Sequence, residues 1–295
     1  MERRLKNLQI EKNVYTDITI EETVIHRDRD RDLPMKVFRP GEWQPGDRRA
    51  GVVFWFGGGF YKNDMDHFRM QSEYFAHRGM VAFTPDYRLT VEPGVKIPDC
   101  LYDGKCALAH ILGYAAAYGL DPDRLVVCGG SAGGMIAAAS VLLEELDVAG
   151  ESAGPCAMVL FNPALEMDLG MAARAENIVG ENGEAINEDM AHLRSSLGEE
   201  MMAHPEKYSC IAHVRRGLPP VLILQGTEDP VCSKNLLFCK LYREAGNYIE
   251  LEEYLGCVHG FFNPGRSERN FYYYQTRKRM EMFLIEQGLL AREEE

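Results

Sequence analysis

Three residues in this chain have the types, neighbours and order needed for nucleophilic catalysis. The stretch Leu125-Val126-Val127-Cys128-Gly129-Gly130-Ser131-Ala132-Gly133-Gly134-Met135 runs from an apolar strand-length segment through G-x-S-x-G into an Ala-rich helix. A serine on so sharp a turn is strained, and its neighbours two before and two after must lack side chains for strand and helix to pass closely. The turn presents the Ser131 hydroxyl above a helix N-terminus, whose unpaired N–H groups suit a developing oxyanion. A hydroxyl also needs a general base, and the base an orienting acid. Gly226-Thr227-Glu228-Asp229-Pro230 follows a buried strand and offers Asp229, with Glu228 as the alternative acid; Asp229 is preferred because it lies further from the strand end. Gly256-Cys257-Val258-His259-Gly260 follows the last strand and offers His259. Of eight histidines only His259 has this late, post-strand, Gly-flanked setting. The chain order Ser131, Asp229, His259 is one known arrangement of such a triad.

A second glycine-rich segment follows the apolar strand Gly51–Phe56. In Gly57-Gly58-Gly59-Phe60-Tyr61, three glycines permit backbone conformations that a β-carbon forbids and let N–H groups face a cleft. The aromatic pair that follows separates this segment from a polar linker, and Phe60, Tyr61 and Gly130 are candidates for the wall of a substrate pocket.

The elements that would position these residues alternate along the chain. Val14–Ile25 and Leu33–Phe38 read as two strands of an antiparallel N-terminal edge, joined by the charged turn His26–Asp32. Residues 1–12 read as a polar loose arm or a short helix. Asn63–Arg78 has helical spacing, Met80–Thr84 is a strand, Asp99–Tyr118 a long helix, and Asp121–Arg124 a turn into the strand before Ser131. After the helix from Ala132 to about Leu146 come a strand at Cys156–Phe161, a strand from Pro219 to Gly226, a helix at Cys232–Ala245, a strand at Tyr248–Tyr254 and a last helix at Arg269–Gln287. Strand–helix alternation predicts an α/β domain built on a mostly parallel sheet of about eight strands, covered by helices on both faces. Ligands of such sheets bind at the C-terminal strand ends, where Ser131, Gly57–Gly59 and Asp229 all fall. Residues 164–217 break the rhythm. They are polar, Met-rich and helical at 188–197 and 199–204, and read as a cap inserted over the site of a single domain spanning 1–295.

Composition narrows the function further. A net charge of −13 argues against nucleic acid or anionic membrane as a partner. The eight cysteines include no C-x-x-C and read as reduced thiols. No apolar stretch has the length of a membrane span and no signal peptide is visible, so a cytoplasmic protein is expected. His192, His204 and His213 lack metal-ligand spacing, so no metal site is expected. A homodimer through an edge strand or the last helix is compatible with this arrangement.

Residues 51–265 resemble the esterases of the α/β-hydrolase fold, nearest the hormone-sensitive-lipase-like and carbohydrate acetyl-esterase branch. The resemblance is carried by Phe-Gly-Gly-Gly-Phe at 56–60, Asp-Tyr-Arg-Leu at 86–89, Asp-Pro-Asp-Arg at 121–124, Gly-Gly-Ser-Ala-Gly-Gly at 129–134, Gly-Thr-Glu-Asp at 226–229 and His-Gly-Phe-Phe at 259–262. It implies Ser131 as nucleophile, His259 as general base and acid, Asp229 as its orienter, and the N–H groups of Gly58, Gly59 and Ala132 as the oxyanion hole, with no cofactor. It also implies that Asp86, Tyr87 and Arg88 brace the loops. Lipase-like members carry histidine where Phe56 stands here; Phe-Gly-Gly-Gly occurs in members resembling sugar acetyl esterases. The implied activity is hydrolysis of a small-molecule ester, an acetyl ester of a carbohydrate or small alcohol. The same machinery acting on an amide, and a non-catalytic binding protein, stand as alternatives.

Overall fold

The computed structural model describes residues 15–25, 32–146, 154–166 and 188–292. The polar arm at 1–12, most of the charged turn at 26–31 and the middle of the proposed cap, 167–187, lie outside the described residues.

Eight strands form one sheet in the order β1-β2-β4-β3-β5-β6-β7-β8: β1 (Ile18–Ile25), β2 (Leu33–Pro40), β3 (Arg49–Trp55), β4 (Val81–Pro85), β5 (Leu120–Gly130), β6 (Ala157–Phe161), β7 (Val221–Gly226) and β8 (Ile249–Tyr254). β1 pairs with β2, and β2 with β4, antiparallel; all other pairings are parallel. This is the expected sheet, antiparallel N-terminal edge included.

The strands are apolar throughout because both faces are covered. Successive side chains point to opposite sides. Val53, Trp55, Val127, Leu160 and Ile223 enter one core, beneath α2 (Ile97–Gly113), α4 (Ala132–Leu142) and α7 (Cys232–Glu244). Val52, Phe54, Val126, Val159 and Leu222 enter the other, beneath α1 (Arg69–His77) and α8 (Phe271–Glu286). Helix α4 is buried almost all round, which explains its lack of a polar face.

Three elements depart from the pattern read in the sequence. Helix α1 starts at Arg69 and not near Asn63, because Asn63 has a φ of 79° and the side chains of Asn63 and His67 bond to Gly57. The helix expected over 99–118 ends at Gly113, bends at Tyr114 and resumes as α3 (Ala115–Tyr118). The turn at 121–124 is drawn into β5: Arg49 lies opposite Leu120 but Gly51 opposite Leu125, so the extra residues bulge outward, where Asp121 pairs with Arg48 at 2.7 Å.

In the cap region, α5 (Glu188–Ser196), α6 (Gly198–Ala203) and a 3-10 turn at Pro205–Tyr208 are described. This segment is less polar in effect than its composition suggests. Leu197, Met201, Tyr208, Cys210 and Ile211 are buried in the core shared with α2 and α4. Helix α5 also reaches the glycine loop, with the His192 ring 4.9 Å from Tyr61 and its Nε2 2.9 Å from Thr90 Oγ1.

Candidate active site

Five loops leave the C-terminal ends of β3, β5, β6, β7 and β8, and between them they bring the chemistry-bearing side chains together. Ser131 stands between β5 and α4 with φ 54° and ψ −117°, a conformation that costs an L-residue of order 1–3 kcal/mol. The packing around the turn enforces it. A β-carbon on Gly133 would overlap the carbonyl oxygens of Trp55 and Phe56, and one on Gly129 would overlap the Gly133 carbonyl. The glycines flanking the serine are therefore required by contact with β3 and with the turn's own backbone.

His259 bridges the other two. Its Nε2 is 2.7 Å from Ser131 Oγ, and its Nδ1 lies 2.9 and 2.8 Å from the two carboxylate oxygens of Asp229. The Asp229 side chain is fully buried and its Oδ1 also accepts the Val231 N–H at 3.0 Å, whereas Glu228 is exposed. The buried carboxylate holds Nδ1–H toward itself, which leaves Nε2 free to accept the serine proton. Chemically the arrangement can deprotonate a hydroxyl and stabilise the imidazolium that results.

The glycine loop is fixed peptide by peptide. A trans peptide points its C=O and N–H in opposite directions, so anchoring one group aims the other. The Phe56–Gly57 peptide is anchored at both: Tyr87 Oη donates to Phe56 O at 2.9 Å, and Gly57 N–H donates to His67 Nδ1 at 3.1 Å. Asn63 Nδ2 donates to Gly57 O at 2.9 Å, which aims the Gly58 N–H the other way. Gly58 O accepts the N–H groups of Tyr61 and Lys62, both at 3.2 Å, which aims the Gly59 N–H. Ser131 O accepts from Met135 and Ala164, which aims the Ala132 N–H. Among the described residues, the N–H groups of Gly58, Gly59 and Ala132 have no protein acceptor. Positive φ at Gly58 (123°) and Gly59 (63°) is what makes this path accessible to glycine.

Phe56 itself has no polar role. It stacks on Tyr87 with ring centroids 4.1 Å apart, and the two hydrogen bonds on its peptide steady the loop. Asp86 and Arg88 brace the neighbouring turn: Asp86 Oδ1 accepts the Tyr87 N–H, and Arg88 forms a two-pronged pair with buried Asp103 at 2.9 and 3.0 Å.

The pocket expectation needs correction at two of its three residues. Phe60 is 1% exposed and packs into the core, and a β-carbon on Gly130 would meet Phe262 at 2.6 Å and Phe68 at 3.3 Å. Both are turned into packed side chains. Tyr61 keeps a partly exposed ring next to His192.

Several residues near the site escaped the sequence reading. His67, Asn162 and Asn263 join the loops: His67 Nε2 to Asn263 Oδ1 at 2.6 Å, Asn263 Nδ2 to Gly260 O at 3.0 Å, and Gly260 N–H to Asn162 Oδ1 at 3.1 Å. Burial lowers the His67 pKa from its usual value, against the opposing pull of the Asn263 hydrogen bond and the Asp64 charge. The available signals were local, an Asn ending β6 and an Asn-Pro closing the histidine loop, and neither reveals a partner far along the chain. No group of three or more His, Cys, Asp or Glu among the described residues could hold a metal ion.

The profile of the alpha/beta hydrolase fold family matches residues 52–263. The chain belongs to that family. A solved thermophilic esterase from Thermogutta terrifontis with propionate bound is 37% identical, with a TM-score of 0.78 over 93% of this chain and 96% of that one. The carboxylesterase NlhH of Mycobacterium tuberculosis is 28% identical over 269 residues, 88% of this chain and 81% of NlhH. An ethyl acetate hydrolase of Pseudomonas putida is 24% identical over 234 residues, 79% of this chain and 72% of the hydrolase. No helix among the described residues is long and apolar enough to cross a membrane.

Proposed function

We propose that this α/β-hydrolase is a serine carboxylesterase that cleaves short-chain acyl esters, with Ser131, His259 and Asp229 as its triad. The observation that carries the reading is the bridge of His259, whose two ring nitrogens reach Ser131 Oγ and the buried Asp229 carboxylate at 2.7 to 2.9 Å. Ser131 Oγ attacks the ester carbonyl while His259 Nε2 takes its proton, and the carbonyl oxygen becomes an oxyanion on the N–H groups of Gly58, Gly59 and Ala132. Collapse of the tetrahedral species breaks the bond to the alcohol, which leaves with the proton from His259. Water, deprotonated by His259, then attacks the acyl-enzyme; the acid departs and Ser131 regains its proton. Asp229 stays ionised throughout and holds the ring in the productive tautomer.

A short acyl group, acetyl foremost, on a sugar or small alcohol is the proposed substrate. The solved relative binds propionate and one curated relative is named for ethyl acetate, which favours short acids. Phe56 before the glycine triplet favours the sugar acetyl-esterase side of the family resemblance. In this reading the site belongs to a single domain, with described residues 188–217 as part of its cap, in a protein of a reducing compartment with all eight cysteines as free thiols.

The test is hydrolysis of p-nitrophenyl acetate, butyrate and octanoate by the wild type and Ser131→Ala, followed by acetylated sugars. Acetate is expected to be fastest, and the variant to lose about 10³-fold or more in kcat. Equal rates for wild type and variant would remove the triad assignment and bring forward an amide substrate or a binding role. A preference for octanoate would remove the short-chain assignment alone.

A further inference from the structure

The bonds that fix the glycine loop do not end there. Gly57 N–H is a donor, so His67 Nδ1 must be its acceptor and the neutral ring carries its proton on Nε2. That proton points at Asn263 Oδ1. The Asn263 amide cannot be the other way round, because its Nδ2 donates to the carbonyl of Gly260. Gly260 follows His259 directly, and its own N–H is taken by the buried Asn162 side chain. One continuous set of bonds, Gly57–His67–Asn263–Gly260–Asn162, thus runs from the loop after β3 through the loop after β8 to the end of β6. Each tautomer and amide orientation in it is forced by the next.

We propose that His67 and Asn263 are positioning residues that hold the oxyanion loop in register with the loop bearing His259, through the His67 ring bridging Gly57 and Asn263. The inference rests on the catalytic reading of Ser131, His259, Gly58 and Gly59 given above. The two loops come from strands that are not neighbours in the sheet, so backbone pairing cannot set their spacing. Catalysis requires that spacing to be exact to a fraction of an ångström, since the base must reach Ser131 Oγ while the N–H groups reach the oxygen of the same substrate carbonyl. In this chain Phe56 supplies no hydrogen bond from its side chain before the glycines, and the histidine that supports them comes from position 67, on the segment between the loop and α1.

The experiment compares kcat and KM for p-nitrophenyl acetate, with thermal unfolding of each protein, in the wild type, His67→Ala, His67→Asn, Asn263→Ala and the double variant His67→Ala/Asn263→Ala. An asparagine at 67 places its Oδ1 where Nδ1 stands and keeps an acceptor for Gly57. The expected result is that His67→Ala lowers kcat about 10- to 100-fold with KM within about twofold. His67→Asn is expected to recover part of that kcat, and the double variant to be no worse than about threefold below His67→Ala, because both changes cut one connection. Should His67→Ala not fold, His67→Asn and Asn263→Ala carry the test, with Asn263→Ala expected about tenfold down in kcat. A kcat within about threefold of wild type in His67→Ala or Asn263→Ala, or losses that multiply in the double variant, overturns the inference. These outcomes are read only against Ser131→Ala: if that variant abolishes activity while His67→Ala and Asn263→Ala stay within about threefold of wild type, the bridge falls and the triad stands, and if Ser131→Ala keeps activity, the catalytic reading itself falls.

Discussion

The turn that carries Ser131 and the loop that carries His259 face each other across 2.7 Å, yet they are held by different means. The serine turn is held by exclusion. Its glycines are jammed against carbonyl oxygens of β3 and of its own backbone, and its strained dihedrals persist because no other arrangement fits. The histidine loop is held by attraction. Gly260 hangs between two asparagine side chains, one from the end of β6 and one braced by His67. In the proposed mechanism the serine turn presents a nucleophile at one fixed point, and steric contact does that with the least play. In that mechanism the histidine exchanges protons with a changing partner, and its loop is positioned by a few hydrogen bonds that single substitutions can remove.

Three substitutions or conditions would break or sharpen this contrast. The largest effect is expected from Gly133→Ala. Its β-carbon would overlap the backbone oxygens of Trp55 and Phe56, and backbone cannot move aside without disturbing β3, so destabilisation of about 4 kcal/mol or more is expected. Urea unfolding measures it, and a loss under about 1 kcal/mol would show that the serine turn is not sterically held. Asn162→Gly should act more gently. It keeps the positive φ of 35° unstrained and removes the acceptor for Gly260 N–H, with about 1–3 kcal/mol lost in stability and about tenfold in kcat. Loss of stability with an unchanged kcat would mean that His259 keeps its place without that support. The smallest effect concerns pH. Because burial lowers the His67 pKa below the usual 6.5, the fold prefers the neutral ring, and the unfolded chain binds the proton first as pH falls. The resulting stabilisation is fully present above about 6.5 and is lost as pH falls toward the lowered folded value. The charged and polar groups facing the ring are the Gly57 N–H, Asp64 and Asn263; the last two oppose the shift, but burial outweighs them. The melting temperature of the wild type should therefore fall more between roughly pH 7 and 5 than that of His67→Asn. Parallel curves would place His67 outside the set of groups whose charge matters to the fold.

Much of the frame was legible in the residues because its causes are local. The G-x-S-x-G turn and the glycine triplet announce themselves, since only glycine tolerates the contacts and dihedrals there. Continuous apolar runs such as Val52–Phe56 and Val221–Leu224 mark strands buried on both faces. Where the reading slipped, a tertiary bond had overridden a local preference. Residues 63–68 have helical spacing but are spent on holding Gly57 and filling the space beneath the serine turn. Phe60 and Gly130 flank the chemistry in the sequence yet point into packed rings and core. The polar composition of 164–217 concealed the few apolar residues, Leu197 and Met201 among them, that tie its described part to the main core.

By itself the sequence determined the order of strands and helices, the antiparallel edge, the serine turn and the glycine path, because sterics and hydrophobic period act over a few residues. Only the tertiary structure decided that Asp229 and not Glu228 meets His259, that Phe56 is inert and that His67, Asn162 and Asn263 steady the loops. Those outcomes depend on contacts between residues that lie from 30 to 196 positions apart, and such partners are chosen by where the sheet ends its strands.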